Sequence, residues 1–190
     1  MPSTSWIPKP GLLGGVTALL PIYARDILDA GPWALGFLRS APAVGALTAA
    51  IVLTRYAITG SAGKIMFAAV GVFGAASLLF ALSTSILMSF LALAMYGAAD
   101  AVSVVIRASL IQMRTPHDML GRVMAVNSMF TGSSGSLGEF RAGALAAWLG
   151  AVPSALIGGV GAITVMLIWM CVFPQLRRID TLAPESEPAR

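Results

Sequence analysis

The sequence predicts an all-α membrane protein of six transmembrane helices, on three observations. Of its 190 residues, 57% are hydrophobic and only 11% charged, with a mean hydropathy of +0.86. A soluble domain carries about 45–50% apolar and roughly 25% charged residues, so this chain has too little charge to coat a water-facing surface. Next, the apolar residues fall into six long runs rich in Ala and Leu, without the alternation of a half-buried strand. Lipid admits only helices and closed barrels. Finally, the links between runs alternate in basic content, as loops on the two sides of a bilayer do. The same composition excludes a disordered chain, and the single cysteine, Cys171, excludes an internal disulfide framework.

A helix needs roughly 20 apolar residues to cross a hydrocarbon core of about 30 Å. The first run, Gly11 to about Ala24, is short, about 21 Å as a helix. Residues 1–10 hold Pro2, Pro8, Lys9 and Pro10 and lack the organisation of a signal peptide. They read as a replaced or truncated beginning; the alternative is a short, tilted helix kinked at Pro21 with local bilayer thinning. The second run is Trp33 to Thr54, the third Ile65 to Ser83, and the fourth starts near Ile86 and passes Ile106. The fifth is Val123 to Gly150 and the sixth Ala155 to Phe173. Residues 11–174 are therefore expected to form one six-helix bundle, followed by a polar, disordered cytoplasmic tail at 175–190.

The links set the orientation. Arg55 and Lys64 bracket the second, Arg107, Arg114 and Arg122 lie in or beside the fourth, and Arg177 and Arg178 follow the sixth run. The links at 83–85 and 151–153 have no basic residue, and Arg25 in the first is offset by Asp26 and Asp29. Positive-inside counting places both termini in the cytoplasm, with Trp33 and Trp148 at the outer interface. The net charge of +4 comes from basic residues scattered singly, a cytoplasmic-loop surplus rather than a nucleic-acid face. Thr115 is expected to cap the fifth helix, with Pro116 at its first position and Asp118 in its first turn.

Charges at membrane depth are expensive and therefore functional candidates. They are Arg39, Asp100, Glu139 and Arg141, with Arg107 a fifth if the fourth helix continues to Met113. Asp100 and Arg107 are seven apart and share a helix face at about 10 Å. Either they line an aqueous cavity, with Asp100 taking up protons, or they make interhelical bonds that lock the inward end. Asn127, Thr131, Ser134, Gly138 and Arg141 recur at helical spacing as one polar or small stripe. The stripe reads equally as a substrate path or as close packing, since Gly132, Gly135 and Gly138 let backbones approach.

Glu139 points to a different side from Arg141. It is either the protonation site of a proton-coupled exporter or a carboxylate held by Arg39 or a backbone donor. Arg39 either meets an anionic substrate or snorkels outward. Tyr96 and the methionines read as packing, and the lone His117 is no metal site. There is no Gly-rich phosphate loop followed by Lys-Ser/Thr and no nucleophile motif, so neither an ATP-driven machine nor an enzyme is expected, and no cofactor.

Several segments go further. They are Arg-Thr-Pro-His-Asp-Met-Leu-Gly-Arg at 114–122, Gly-Ala-Ala-Asp at 97–100 and Leu-Gly-Glu-Phe at 137–140. Leu-Pro-Ile-Tyr-Ala-Arg-Asp at 20–26 and Leu-Arg-Ser-Ala-Pro-Ala-Val-Gly-Ala at 38–46 join them. Together they resemble the C-terminal half of a major facilitator superfamily permease, of the bacterial branch that includes enterobactin-exporter-like proteins. The resemblance implies six helices as two inverted three-helix repeats, half of the full fold. It implies secondary transport across the bacterial inner membrane: efflux of a small organic molecule or siderophore by proton antiport. Gly63, Lys64, Pro116, Gly121 and Arg122 would then be cytoplasmic loop or gating positions. The implied partners are a small-molecule substrate, the lipid bilayer and, because such sites lie between halves, an N-terminal half-bundle or a second copy. Arg141 stands where similar family members have a carboxylate, a departure that alters the local charge. The alternative is a non-transporting half-permease that acts only with a partner bundle, or an inactive fragment.

Overall fold

Inside a bilayer every backbone N–H and C=O must find a partner within the protein, and the chain meets this with helices. The computed structural model describes residues 15–28, 31–55 and 62–172. The first helix, α1, covers Val16–Ile22 and continues as a π turn over Tyr23–Ile27. It is followed by α2 (Pro32–Arg55), α3 (Ala62–Leu82), α4 (Ile86–Arg114), α5 (Leu120–Leu149) and α6 (Ala151–Val172). The described residues contain no strand. All six apolar runs are helical where described, and α4 continues through Arg107 to Arg114. The expectations for residues 1–10, for the start of the first run at Gly11 and for the tail at 175–190 lie outside the described residues.

Among the described residues, four segments are long and apolar enough to cross a membrane: Trp33–Arg55, Gly63–Leu82, Ile86–Met113 and Ala151–Ile168. The other two of the six expected spans are present as helices whose described residues do not meet that measure. The described α-helical part of α1 has only 7 residues. At 30 residues, α5 reaches about 45 Å, but Asn127, Ser128, Thr131, Ser133, Ser134 and Ser136 dilute its apolar content. Its only buried residues are Gly138, Ala142 and Ala146. Large apolar side chains such as Leu47, Ile51, Leu91, Val160 and Leu167 are exposed on the outside of the bundle. Such a surface suits acyl chains and would be a liability in water. Trp33 and Trp148 are 66% and 89% exposed, at the end that also carries the links at 83–85 and 150.

The helices pack in a chain of neighbours: α2 on α4, α4 on α3, and α3 on α6, with α5 joining α6 to α1 and barely touching α4. Small residues make the first and third contacts possible. A Cβ at Gly45 would overlap the Ala94 carbonyl, and one at Gly97 would overlap the Pro42 carbonyl, so α2 and α4 touch through their backbones. Across α3 and α6, Gly74 receives Ile163 and Gly159 receives Leu78.

The end of α3 shows how a polar group is satisfied without water. The Ala81 carbonyl belongs to the last turn, which has no intrahelical donor. Tyr23, fully buried, donates its phenol hydrogen to that oxygen at 3.1 Å, and its ring lies 4.4 Å from Phe80. The π turn, closed by Leu28 N–H to the Tyr23 carbonyl at 2.9 Å, follows Pro21 and sets the ring in place. Tyr23→Phe is expected to destabilise the bundle by about 1–3 kcal/mol, the cost of an orphaned buried carbonyl, read as a lower melting temperature in detergent.

The link from α4 to α5 also differs from expectation. Thr115 is extended (φ −110°, ψ 126°) and Pro116 has ψ 144°, so the helix does not start at Pro116. A single 3-10 turn, His117–Met119, intervenes, and α5 begins at Leu120 with no side-chain cap. Extended geometry at Thr115 would suit a cap, but Pro116 is itself extended, so no helix starts beside Thr115 for it to cap.

Candidate functional site

Because α4 and α5 barely meet, a cavity of about 210 Å³ remains between them. On one wall α4 presents Tyr96, Asp100, Val104 and Arg107, a span of about 16 Å along the helix axis. The facing wall is α5, with Thr131, Ser134, Gly135 and Glu139. Gly15 and Thr17 of α1 and Phe73 of α3 complete the lining. Two carboxylates and one guanidinium thus share a small space with hydroxyls and an aromatic floor.

Local structure holds each group. The Thr17 hydroxyl donates to Glu139 Oε1 at 3.2 Å. This donor replaces the expected Arg39 or backbone donor: α1 crosses α5 at Gly15, where a Cβ would press on the Gly138 carbonyl, and Gly15 itself has φ +89°. Arg107 Nε donates to the Ser103 carbonyl at 3.2 Å, which ties the guanidinium back along its own helix. Thr131 Oγ1 donates to the Asn127 carbonyl at 2.8 Å. The rings of Phe73 and Tyr96 meet with centroids 4.2 Å apart, tilted by 30°.

Of the residues expected at depth, the cavity gathers Asp100, Arg107, Thr131, Ser134 and Glu139. Asn127 and Arg141 are half-buried on α5 and do not line it. Arg39 is exposed on α2, also outside the lining. Gly63 is buried and Lys64 exposed at the start of α3, while Pro116, Gly121 and Arg122 are exposed around the link to α5. The close-packing reading of the α5 glycines holds only at Gly138, which α1 meets; a Cβ at Gly132 or Gly135 would meet nothing within 4 Å. Tyr96 lines the cavity rather than merely filling the core. Its signal lay in the spacing of Tyr96, Asp100, Ser103 and Arg107, which places a second polar stripe on one face of α4.

Comparison with known proteins agrees with this architecture. The profile of the transmembrane secretion effectors, a major facilitator superfamily group, matches residues 13–189. The chain belongs to this family. Its curated relatives include the enterobactin exporter EntS of Shigella flexneri, 28% identical over 92% of this chain and 43% of that protein. The EntS proteins of Salmonella typhimurium and Citrobacter koseri are 30% and 29% identical, covering 80% and 82% of this chain and 37% of each relative. The chain spans about two fifths of the length of the curated relatives it matches. No solved structure matches it significantly. Its family and its four helices long and apolar enough to cross a membrane make it a multi-pass membrane protein of a transporter family.

Proposed function

We propose that this chain forms one wall of a secondary exporter, with the α4–α5 cavity as its share of the substrate and proton path. The observation that carries the reading is the gathering of Asp100, Arg107 and Glu139 in one cavity between membrane helices, where ionisable side chains are rare and mark substrate or proton paths. The carboxylates accept and release protons, Arg107 and the α5 hydroxyls orient a polar ligand, and the Phe73–Tyr96 ring pair supports its apolar part. The cargo is a small organic molecule or a siderophore, moved outward by proton antiport across the bacterial inner membrane.

Three of the helix contacts support two inverted three-helix repeats, while the α5–α6 contact has no comparable α2–α3 counterpart. Exchanging α1, α2 and α3 with α4, α5 and α6 turns the α2–α4 contact into α5–α1 and α3–α4 into α6–α1. The same exchange maps α3–α6 onto itself. Both termini are assigned to the cytoplasm, because Arg55, Lys64 and Arg122 all lie at one end of the bundle. The open glycine face of α5 favours a second bundle as partner, an N-terminal half or another copy. The test is ΔpH-driven transport of labelled enterobactin, the compound named for the relatives, into everted vesicles. Vesicles would contain the chain alone or the chain with the part of the Shigella relative that it does not match. Uptake that collapses with the proton gradient is expected; uptake indifferent to the gradient overturns antiport, and none in either preparation overturns the exporter reading in favour of a non-transporting half-permease.

A further inference from the structure

We propose that the wedge between α3 and α6 binds an anionic phospholipid, with its phosphate on Lys64 and an acyl chain in the groove. The two helices touch closely where Gly74 meets Ile163 and Gly159 meets Leu78. Between that crossing and Lys64 lies a groove of about 480 Å³. Its walls are Phe67, Ala68 and Val72 of α3 and Met166 and Met170 of α6. From Val72 to Lys64 the groove runs about 12 Å along α3, most of the depth of one leaflet of a hydrocarbon core about 30 Å thick. Methionines adapt to an irregular, mobile chain.

Charge selects the occupant. Lys64 is exposed at the groove mouth and carries the only charge among the described lining residues. An ammonium at the end of an apolar slot complements a phosphodiester whose headgroup adds no cation, and a basic pocket between helices is a known kind of lipid-headgroup site. The reading also accounts for a residue that the transport path leaves unused: Lys64 lies on the α3–α6 side, away from the α4–α5 cavity. The proposal is independent of any transport activity.

The test is native mass spectrometry of the purified full chain in detergent, given equimolar phosphatidylglycerol and phosphatidylcholine with the same acyl chains. Phosphatidylglycerol is expected to be retained about five-fold over phosphatidylcholine, the factor a single lysine near an anionic surface supplies. Lys64→Gln should erase the preference and Lys64→Arg restore it. Arg55→Gln, the same charge change outside the groove, should leave it intact. Ala68→Phe, which fills the groove from an exposed position, should reduce retention of both lipids, so the groove is tested even if a Lys64 variant misfolds by circular dichroism. Equal retention of the two lipids by the wild-type chain overturns the proposal. So does a preference that survives Lys64→Gln or is lost equally in Arg55→Gln.

Discussion

Gly97→Leu is expected to prevent assembly of the bundle, the largest effect on folding of any single substitution considered. At this position α4 lies against the backbone of α2: the added Cβ alone would overlap the Pro42 carbonyl, and the reciprocal contact sets Gly45 against the Ala94 carbonyl. Backbone atoms cannot rotate away as a side chain does, so the helices must separate along their whole crossing. That separation costs the dispersion and burial of Leu38, Ala41, Ala92 and Leu93, which share one core cluster. Overpacking a core costs about 1–3 kcal/mol when side chains can yield, and Gly97→Ala, whose Cβ meets backbone that cannot, is expected to cost more than that. Gly36→Leu is the control, because a Cβ there meets nothing within 4 Å, and surface changes fall within about 0.5 kcal/mol. Gel filtration and thermal unfolding in detergent read the difference. If the Gly97→Leu and Gly36→Leu proteins melt alike, the backbone contact between α2 and α4 is not what holds the bundle.

The two glycine crossings show why the fold was readable and the site only partly so. An apolar run of about 20 residues has one outcome in lipid, so α2, α3, α4 and α6 were legible from composition alone, with ends displaced by a few residues. What composition does not encode is how a helix is rotated. A helix apolar all round has no hydrophobic face to aim, and so Arg39 carried a charge but no direction. The structure leaves it exposed, outside the cavity. On α5 the polar stripe did give a direction, and Thr131 and Ser134 face the cavity as that stripe requires.

Glu139 was legible as a charge but not its donor, because Thr17 lies 122 residues away in sequence and reaches it only through the crossing of α1 and α5 at Gly15. Tyr96 was obscured by its residue type, since an aromatic in a membrane helix suits packing, and its place beside Asp100 emerges only once the stripe on α4 is traced. The link at Thr115 misled for a local reason. The pattern of a cap, a proline and an acid was present, but the extended Pro116 backbone spends those residues on a turn before the helix begins.

Asp100→Asn is expected to abolish gradient-driven export while leaving substrate exchange in place. The two readings of Asp100, proton carrier or lock, predict different residues of activity. A carrier is needed only when net protons move, so its amide should reduce ΔpH-driven accumulation at least ten-fold, a free-energy difference of about 1.4 kcal/mol. Counterflow between equal concentrations on both sides should persist. A lock acts on the conformational equilibrium, and its loss should alter exchange and gradient-driven transport together. The second arm removes the partner charge. Asp100→Asn leaves Arg107 at membrane depth without the opposite charge on its own helix face, and Arg107→Gln in the same chain removes the remaining charge. If the double variant regains stability but not gradient coupling, Asp100 carries the proton; if coupling returns, the pair is structural. Glu139→Gln completes the comparison. Thr17 already donates to this carboxylate, and an amide oxygen accepts the same hydrogen bond, so a small effect on exchange and stability is expected. A loss of coupling in Glu139→Gln with Asp100→Asn unaffected would move the proton site from α4 to α5.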